Sequence, residues 1–171
     1  MAKQINYLET ERLILRKLKA GDEVAMFNGW CSDPEVTKYV TWSVHKDISV
    51  TKALLDMWLK QYDDPKTERF GIVLKQTNEL IGAIDVVDYI NGVPEIGYTI
   101  SRKYWNQGYM TEACKAFINY LFSRGYEKLT IEAEVNNIGS NRVIQKCGFK
   151  YLYQGESKNT IVNWYEIEAP R

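Results

Sequence analysis

Apolar positions recur at two periods along this 171-residue chain, and the switches between them lay out its elements. Residues 12–17 alternate as a strand does, and Gly21-Asp22-Glu23 can open a helix that runs through about Cys31. Asp47 then precedes Ile48, Thr51, Leu54, Leu55, Trp58, Leu59 and Tyr62, a stripe at helical spacing behind a good N-cap residue. Strands are expected at 69–75 and 80–89, joined by the polar turn Gln76-Thr77-Asn78-Glu79. Asn91-Gly92 between apolar runs predicts a tight hairpin. It leads into a central strand, Glu95-Ile96-Gly97-Tyr98-Thr99-Ile100. The helical period returns over 109–124, where Met110, Ala113, Cys114, Phe117, Ile118 and Leu121 define a buried face. A strand at 128–135, a helix at 139–147 and strands near 149–155 and 161–168 complete the order. No repeat or Pro/Ser-rich linker interrupts it, so the pattern predicts one mixed α/β domain over residues 1–171.

Composition narrows the function classes. Lys plus Arg and Asp plus Glu are both 22, so no global field draws the chain to nucleic acid or to a membrane. A local basic patch around Arg142 and Lys146 remains, as phosphate binding would require. Cys31, Cys114 and Cys147 are odd in number and widely spaced, which fits reduced thiols in a cytoplasm better than a disulfide framework or a zinc site. No run reaches the length of a membrane span and no secretory signal opens the chain, so a cytoplasmic location is expected. His45 is the sole histidine, which leaves little support for a Ser-His-Asp triad or a histidine-based metal cluster.

The junction Tyr104-Trp105-Asn106-Gln107-Gly108-Tyr109-Met110-Thr111-Glu112-Ala113 carries the first chemical signal. A glycine there lets the backbone turn sharply and leaves the first helical N–H groups free. Such a helix start attracts phosphate through unpaired donors and the positive end of the dipole. No Gly-Lys-Ser/Thr follows, which excludes a Walker loop, and the three spaced glycines of a dinucleotide fingerprint are missing. On these ten residues alone an ordinary turn stands beside phosphate binding as a reading. A second cluster follows, Asn137-Ile138-Gly139-Ser140-Asn141-Arg142-Val143-Ile144-Gln145-Lys146-Cys147-Gly148-Phe149, a short helix stopped by glycine before a strand.

Together the two clusters resemble the GNAT superfamily of acetyl-CoA-dependent N-acetyltransferases, in its RimJ/RimL-like branch. Leu8-Glu9-Thr10-Glu11-Arg12-Leu13-Ile14-Leu15-Arg16 resembles that branch's opening strand, Asp33-Pro34-Glu35-Val36 its first-helix exit, and Glu95-Ile96-Gly97-Tyr98 its central strand. The resemblance spans nearly the whole chain in the family's order. It implies a seven-stranded, mostly antiparallel sheet, splayed in the middle, flanked by about four helices and holding acyl-CoA in the split. It further implies acetyl-CoA as cosubstrate, without a metal, contacted by Ile100, Gln107, Gly108, Tyr109, Met110, Thr111, Asn137, Ser140 and Lys146. Backbone amides of residues 107–111 would face the pyrophosphate, and Asn137 the pantetheine arm. The chain departs from the pattern at Trp105, Asn106 and Met110, and at Ile144, where many members carry a tyrosine.

Acetyl transfer needs an amine without its proton, and an α-amine has a pKa near about 8, a lysine near about 10.4. The resemblance makes Glu95 the expected base, with Asp85 or an ordered water in reserve. Glu112, in the helix's first turn, fits a dipole-complementing role. With Ile144 in the tyrosine position, Ser140 is the nearest hydroxyl for the departing sulfur, and it suits a helix cap equally well. The implied function is N-acetylation by direct attack of a primary amine, tilted toward a protein or peptide N-terminal α-amine. A small-molecule amine acetyltransferase and a catalytically silent acyl-CoA-binding protein are the alternatives, in a monomer or homodimer. Acceptor contacts are expected from residues 21–62, with Trp30, Tyr39, Trp42 and His45 among acids and lysines alike. That mixed set favours a peptide or small mono-amine over a polycationic drug.

Overall fold

A computed structural model describes residues 5–171. Its eight strands are β1 (Tyr7–Glu9), β2 (Leu13–Arg16), β3 (Arg69–Leu74), β4 (Glu79–Ile90), β5 (Val93–Ile100), β6 (Lys128–Glu134), β7 (Lys150–Ser157) and β8 (Thr160–Glu168). They form one sheet in the order β1-β2-β3-β4-β5-β6-β8-β7. Every adjacent pair is antiparallel except β5 and β6, which run parallel and share a single registered pair, Glu95↔Thr130. Beyond that pair the two strands part, and the sheet opens.

The expected seven strands become eight because the opening segment folds on itself. Thr10 N donates to Leu13 O (2.9 Å) and Leu13 N to Thr10 Oγ1 (3.0 Å), so Tyr7–Glu9 returns as a separate strand against β2. The helices number five: α1 (Glu23–Met26), α2 (Pro34–Thr37), α3 (Ile48–Gln61), α4 (Tyr109–Ser123) and α5 (Ile138–Lys146). The helix expected from Gly21 to Cys31 is regular only over α1 and continues as a π-helical turn, Phe27–Cys31. Asp33-Pro34 starts the new helix α2 instead of ending an old one. The Asp33 carboxylate accepts from Glu35 N at 3.0 Å, and proline at the first turn needs no donor there. Asp47 caps α3 as its residue type predicts, accepting from Ser49 N at 2.7 Å.

Helices cover the sheet on both faces and divide the apolar residues into two cores. On one side α4 lays Met110, Ala113, Cys114, Phe117, Ile118 and Leu121 over Phe70, Ile72, Ile84, Ile96, Ile131 and Tyr165. Phe117 is fully buried and meets Phe70 edge to face at 6.0 Å between ring centroids. On the other side Met26, Trp30, Cys31 and Leu55 pack against Val73, Leu80 and Ala83, so this core ends at β4. Among the described residues no helix is long and apolar enough to cross a membrane.

Phe117→Ala removes the ring at the centre of the α4 core and leaves a cavity. It should lower unfolding stability by roughly 3–5 kcal/mol, read from the midpoint of urea denaturation at an unchanged slope.

Candidate active site

The strand-to-helix junction is built by two left-handed residues and an ionic clamp. Asn106 (φ 60) and Gly108 (φ 80) both sit where side chains are disfavoured, and asparagine tolerates it while glycine is free of the penalty. The first intrahelical bond of α4 runs from Glu112 N to Gly108 O (3.0 Å), so the N–H groups of Tyr109, Met110 and Thr111 precede it and point out of the helix start. Trp105 Nε1 donates to Ile100 O (2.9 Å) and Gln107 Nε2 to Lys103 O (3.0 Å), which folds the loop back on the end of β5. Met110 is 5% exposed, its bulk turned into the α4 core, so the departure from a small residue leaves the loop's outer surface uncrowded.

Glu112 does more than complement the dipole. Its carboxylate accepts from Thr10 Oγ1, from Arg12 N (2.9 Å) and from Arg12 Nε (2.7 Å). Burial alone would raise its pKa, but those hydrogen bonds and the Arg12 charge outweigh it and pull the pKa below the usual range. Arg12 also donates through Nη1 to Gln107 O (3.0 Å) and lies 4.2 Å over the Tyr109 ring. The β1–β2 turn therefore holds the loop in place. Sequence reasoning passed over Thr10 and Arg12, although both stand in the opening-strand motif, three and five residues after Tyr7.

The second cluster braces the open end of the sheet. Asn137 caps α5, its Oδ1 accepting from Ser140 N at 3.2 Å, so the capping role falls to Asn137 and leaves the Ser140 hydroxyl free for other partners. Ser140 Oγ lies 2.8 Å from the Tyr98 hydroxyl, a contact from α5 to β5 across the split. Tyr98 is a residue that sequence reasoning did not single out. Burial, then the neighbouring Cys114, push its pKa above that of an ordinary phenol, so the ring stays protonated and able to donate. Ile144, in the position where a tyrosine was expected, is fully buried. Asn141, also missed, ties α5 to the sheet: Nδ2 donates to Glu134 O (3.0 Å) and Oδ1 accepts from Asn163 Nδ2 (2.9 Å) and the Tyr165 hydroxyl (2.7 Å). Lys146 is exposed near the end of α5. Cys147 is buried with its Sγ 3.7 Å from Thr111 O, a packing position between α5 and α4.

Glu95 occupies the one residue pair that joins β5 to β6. It is 8% exposed and has no hydrogen-bond or ion-pair partner among the described residues. Burial first, then the charge of Glu132, push its pKa up to about 7, with Lys158 opposing and Asp88 adding. Asp85 is committed elsewhere: Arg69 Nε binds its carboxylate at 3.0 Å, and Arg69 lies over the Trp58 ring at 4.4 Å. His45 holds its own loop, with N donating to Cys31 O (2.8 Å) and Nδ1 2.7 Å from Thr51 Oγ1.

A parted parallel strand pair and a positive-φ glycine loop with free helix-start N–H groups place an anion-binding helix start beside an open strand edge. Residues 12–150 match the acetyltransferase (GNAT) domain, and the chain belongs to that family. It is 34% identical over 146 residues to the uncharacterized N-acetyltransferase p20 of Bacillus licheniformis, covering 84% of this chain and 82% of that one. It superposes on the crystal structure of a GNAT-family acetyltransferase from Bacillus anthracis with a TM-score of 0.83 at 25% identity, over 95% and 98% of the two chains. The fold is shared with RimL, a ribosomal L7/L12 α-N-protein acetyltransferase in complex with coenzyme A (TM-score 0.81, 19% identity, 93% and 95% covered).

Gly108→Val forces a β-branched side chain into a left-handed position with its Cβ 3.3 Å from Arg12 Nη2. The folded variant should lose most of the thermal stabilisation that saturating acetyl-CoA gives the parent, about 3 kcal/mol at a hundredfold excess over Kd, read in a thermal-shift titration.

Proposed function

We propose that this enzyme transfers the acetyl group of acetyl-CoA to a primary amine by direct attack, with a protein or peptide N-terminal α-amine as the acceptor. One observation carries the reading: an unpartnered, buried carboxylate, Glu95, at the strand pair where the sheet opens. The fold shared with RimL, named for α-N-protein acetylation, supports the acceptor class.

The residues present fit acetyl-CoA. The N–H groups of Tyr109, Met110 and Thr111, with Gln107 and Gly108, would hold its pyrophosphate, and Lys146 would add positive charge near the phosphates. Ile100, at the end of β5, and Asn137, at the cap of α5, would flank the pantetheine arm. Bound acetyl-CoA supplies the thioester. Glu95 then serves the amine side: with a pKa near 7 it is a carboxylate at mildly alkaline pH and basic enough to take an ammonium proton. Of the Tyr98 and Ser140 hydroxyls, 2.8 Å apart, one donates to the other, and the remaining O–H would serve the sulfur side by donating toward the negative charge that develops there.

Glu95→Gln should cut turnover on the order of a hundredfold at pH 7.5 and remove the acid limb of the pH profile, which in the parent falls as pH drops through about 7. Thiol release from acetyl-CoA, followed with short peptides and with small amines, reads both effects and ranks the acceptors. A Glu95→Gln profile identical to the parent's would remove Glu95 from the reaction, and a preference for small amines over every peptide would overturn the acceptor class.

The same shift links function to stability. The folded-state pKa of Glu95 lies above its ordinary value, so its protonated form is favoured in the fold. That stabilisation is full below about pH 4 and is lost as pH rises through about 7, where a charge must be buried. Glu95→Gln should therefore be more stable than the parent at pH 8.5 by on the order of 1–3 kcal/mol, with no gain at pH 4.5, in urea titrations at the two pH values.

A further inference from the structure

Beside Glu95 the sheet carries a second carboxylate and two aromatic rings that no helix covers. Registered residues of paired strands share a face, as do residues two apart on one strand. Glu95 pairs with Thr130, Thr130 and Glu132 alternate along β6, Glu132 pairs with Trp164, and Trp164 with Tyr153. Glu95, Glu132, Trp164 and Tyr153 thus lie on one face, opposite the face where Ile131 and Tyr165 enter the α4 core. The core under α1 and α3 stops at β4, so this stretch of the face is open, and Tyr153 is 57% exposed.

The stretch is shaped by the β7–β8 hairpin. Lys158 (φ 49) and Asn159 (φ 67) form a two-residue turn with both residues left-handed. Ser157, just before it, donates from Oγ to Glu132 Oε1 at 3.1 Å, which bends the hairpin tip over β6 and fixes the carboxylate. Gly155 borders both rings: a Cβ there would lie in ordinary contact with Tyr153 Cε2 at 3.5 Å and the Trp164 indole at 3.6 Å. The two rings stand 6.5 Å apart between centroids. The charged groups that face Glu95 are Glu132 from β6, Asp88 in register on β4 and Lys158 from the hairpin tip.

Resting on the acetyl-transfer reading, we propose that Glu132, held by Ser157, and the rings of Trp164 and Tyr153 select the acceptor. The acceptor's ammonium is received between Glu95 and Glu132, and an aromatic or bulky apolar group next to the amine lies on the rings. The acceptor class is a primary amine with one positive charge and such a group at the amine-bearing carbon. Lys158 offsets one of the three acids, and past Glu132 the face is bordered by rings and not by carboxylates, so charge meets the ammonium and apolar surface meets the group beside it. Glu132 acts as a positioning residue: its charge orients the incoming ammonium and sets the proton affinity of Glu95. Recognition by ring faces is worth more when the group is desolvated against them than when it is absent, so the amine's neighbour decides affinity.

The test uses the full chain with acetyl-CoA and four acceptors: Phe-Ala-Ala-Ala and Gly-Ala-Ala-Ala with amidated C-termini, phenethylamine and 1,3-diaminopropane. The parent should favour the two aromatic acceptors. Glu132→Gln should raise KM for every acceptor about tenfold and move the acid limb of kcat/KM to lower pH by about one unit, because a like charge beside Glu95 is gone. Ser157→Ala, which leaves the fold's cores untouched, should give a smaller change in the same directions. Trp164→Ala should raise KM about tenfold for Phe-Ala-Ala-Ala and leave Gly-Ala-Ala-Ala unchanged. Unaltered KM and pH limb in Glu132→Gln, equal losses on both peptides in Trp164→Ala, or a parent preference for the diamine would each overturn the proposal. These outcomes leave acetyl transfer standing. A parent that binds acetyl-CoA and acetylates none of the four would instead sink the acetyl-transfer reading itself.

Discussion

A parallel strand pair joined at one residue is the constraint around which this molecule is arranged. Elsewhere β5 is tied along its length to β4, so its position is fixed, while its other edge meets β6 only through Glu95↔Thr130. Past that pair the edge groups of β5 have no strand beside them, and an open edge of this kind offers donors and acceptors to an extended ligand. An unbraced gap in a sheet would collapse or widen. Two contacts prevent this: the Tyr98–Ser140 hydroxyl pair spans it, and Asn141 fastens α5 to β6 and β8. The opening is therefore a held shape.

The loop below the opening is held from a distance. Thr10 and Arg12 come from the far side of the sheet order, about a hundred residues before Glu112, and converge on its carboxylate. Arg12 also reaches the Gln107 carbonyl and the Tyr109 ring, so one side chain fixes both the loop and the first helical turn. The free N–H groups of α4 are thereby aimed before any ligand arrives. Preorganised donors lose little on binding, which is what the proposed pyrophosphate site would gain from such bracing.

Electrostatics divides the two sides of the split. On the side proposed for the amine, Glu95 lies among Glu132, Asp88 and Lys158, where burial makes the carboxylate a stronger base. On the side proposed for the sulfur, burial raises the pKa of the Tyr98 hydroxyl, which stays protonated beside that of Ser140. A proton taken up on one side and hydrogen bonds offered on the other match the charge movement of acyl transfer. Glu95 and Glu132 come from β5 and β6, and Tyr98 and Ser140 from β5 and α5.

The amino-acid order by itself determined most of the elements: the stripe of α3, the buried face of α4, the Asp47 cap and the Asn91-Gly92 hairpin all follow from local periodicity and residue type. It also singled out the Gly108 loop and Glu95, which stand in contiguous motifs. It missed the eighth strand, which depends on a Thr10 side chain closing a turn, and the π-helical turn after α1, which has no sharp sequence signature. It offered Ser140 for the helix cap that Asn137 makes. Only the tertiary structure decided that Arg69 takes Asp85, that Thr10 and Arg12 clamp Glu112, and that Glu132, Trp164 and Tyr153 line up beside Glu95. The physical reason is separation: helix stripes and caps act within a few residues, whereas ion pairs and strand register join side chains tens of residues apart, and only the folded chain brings those within reach.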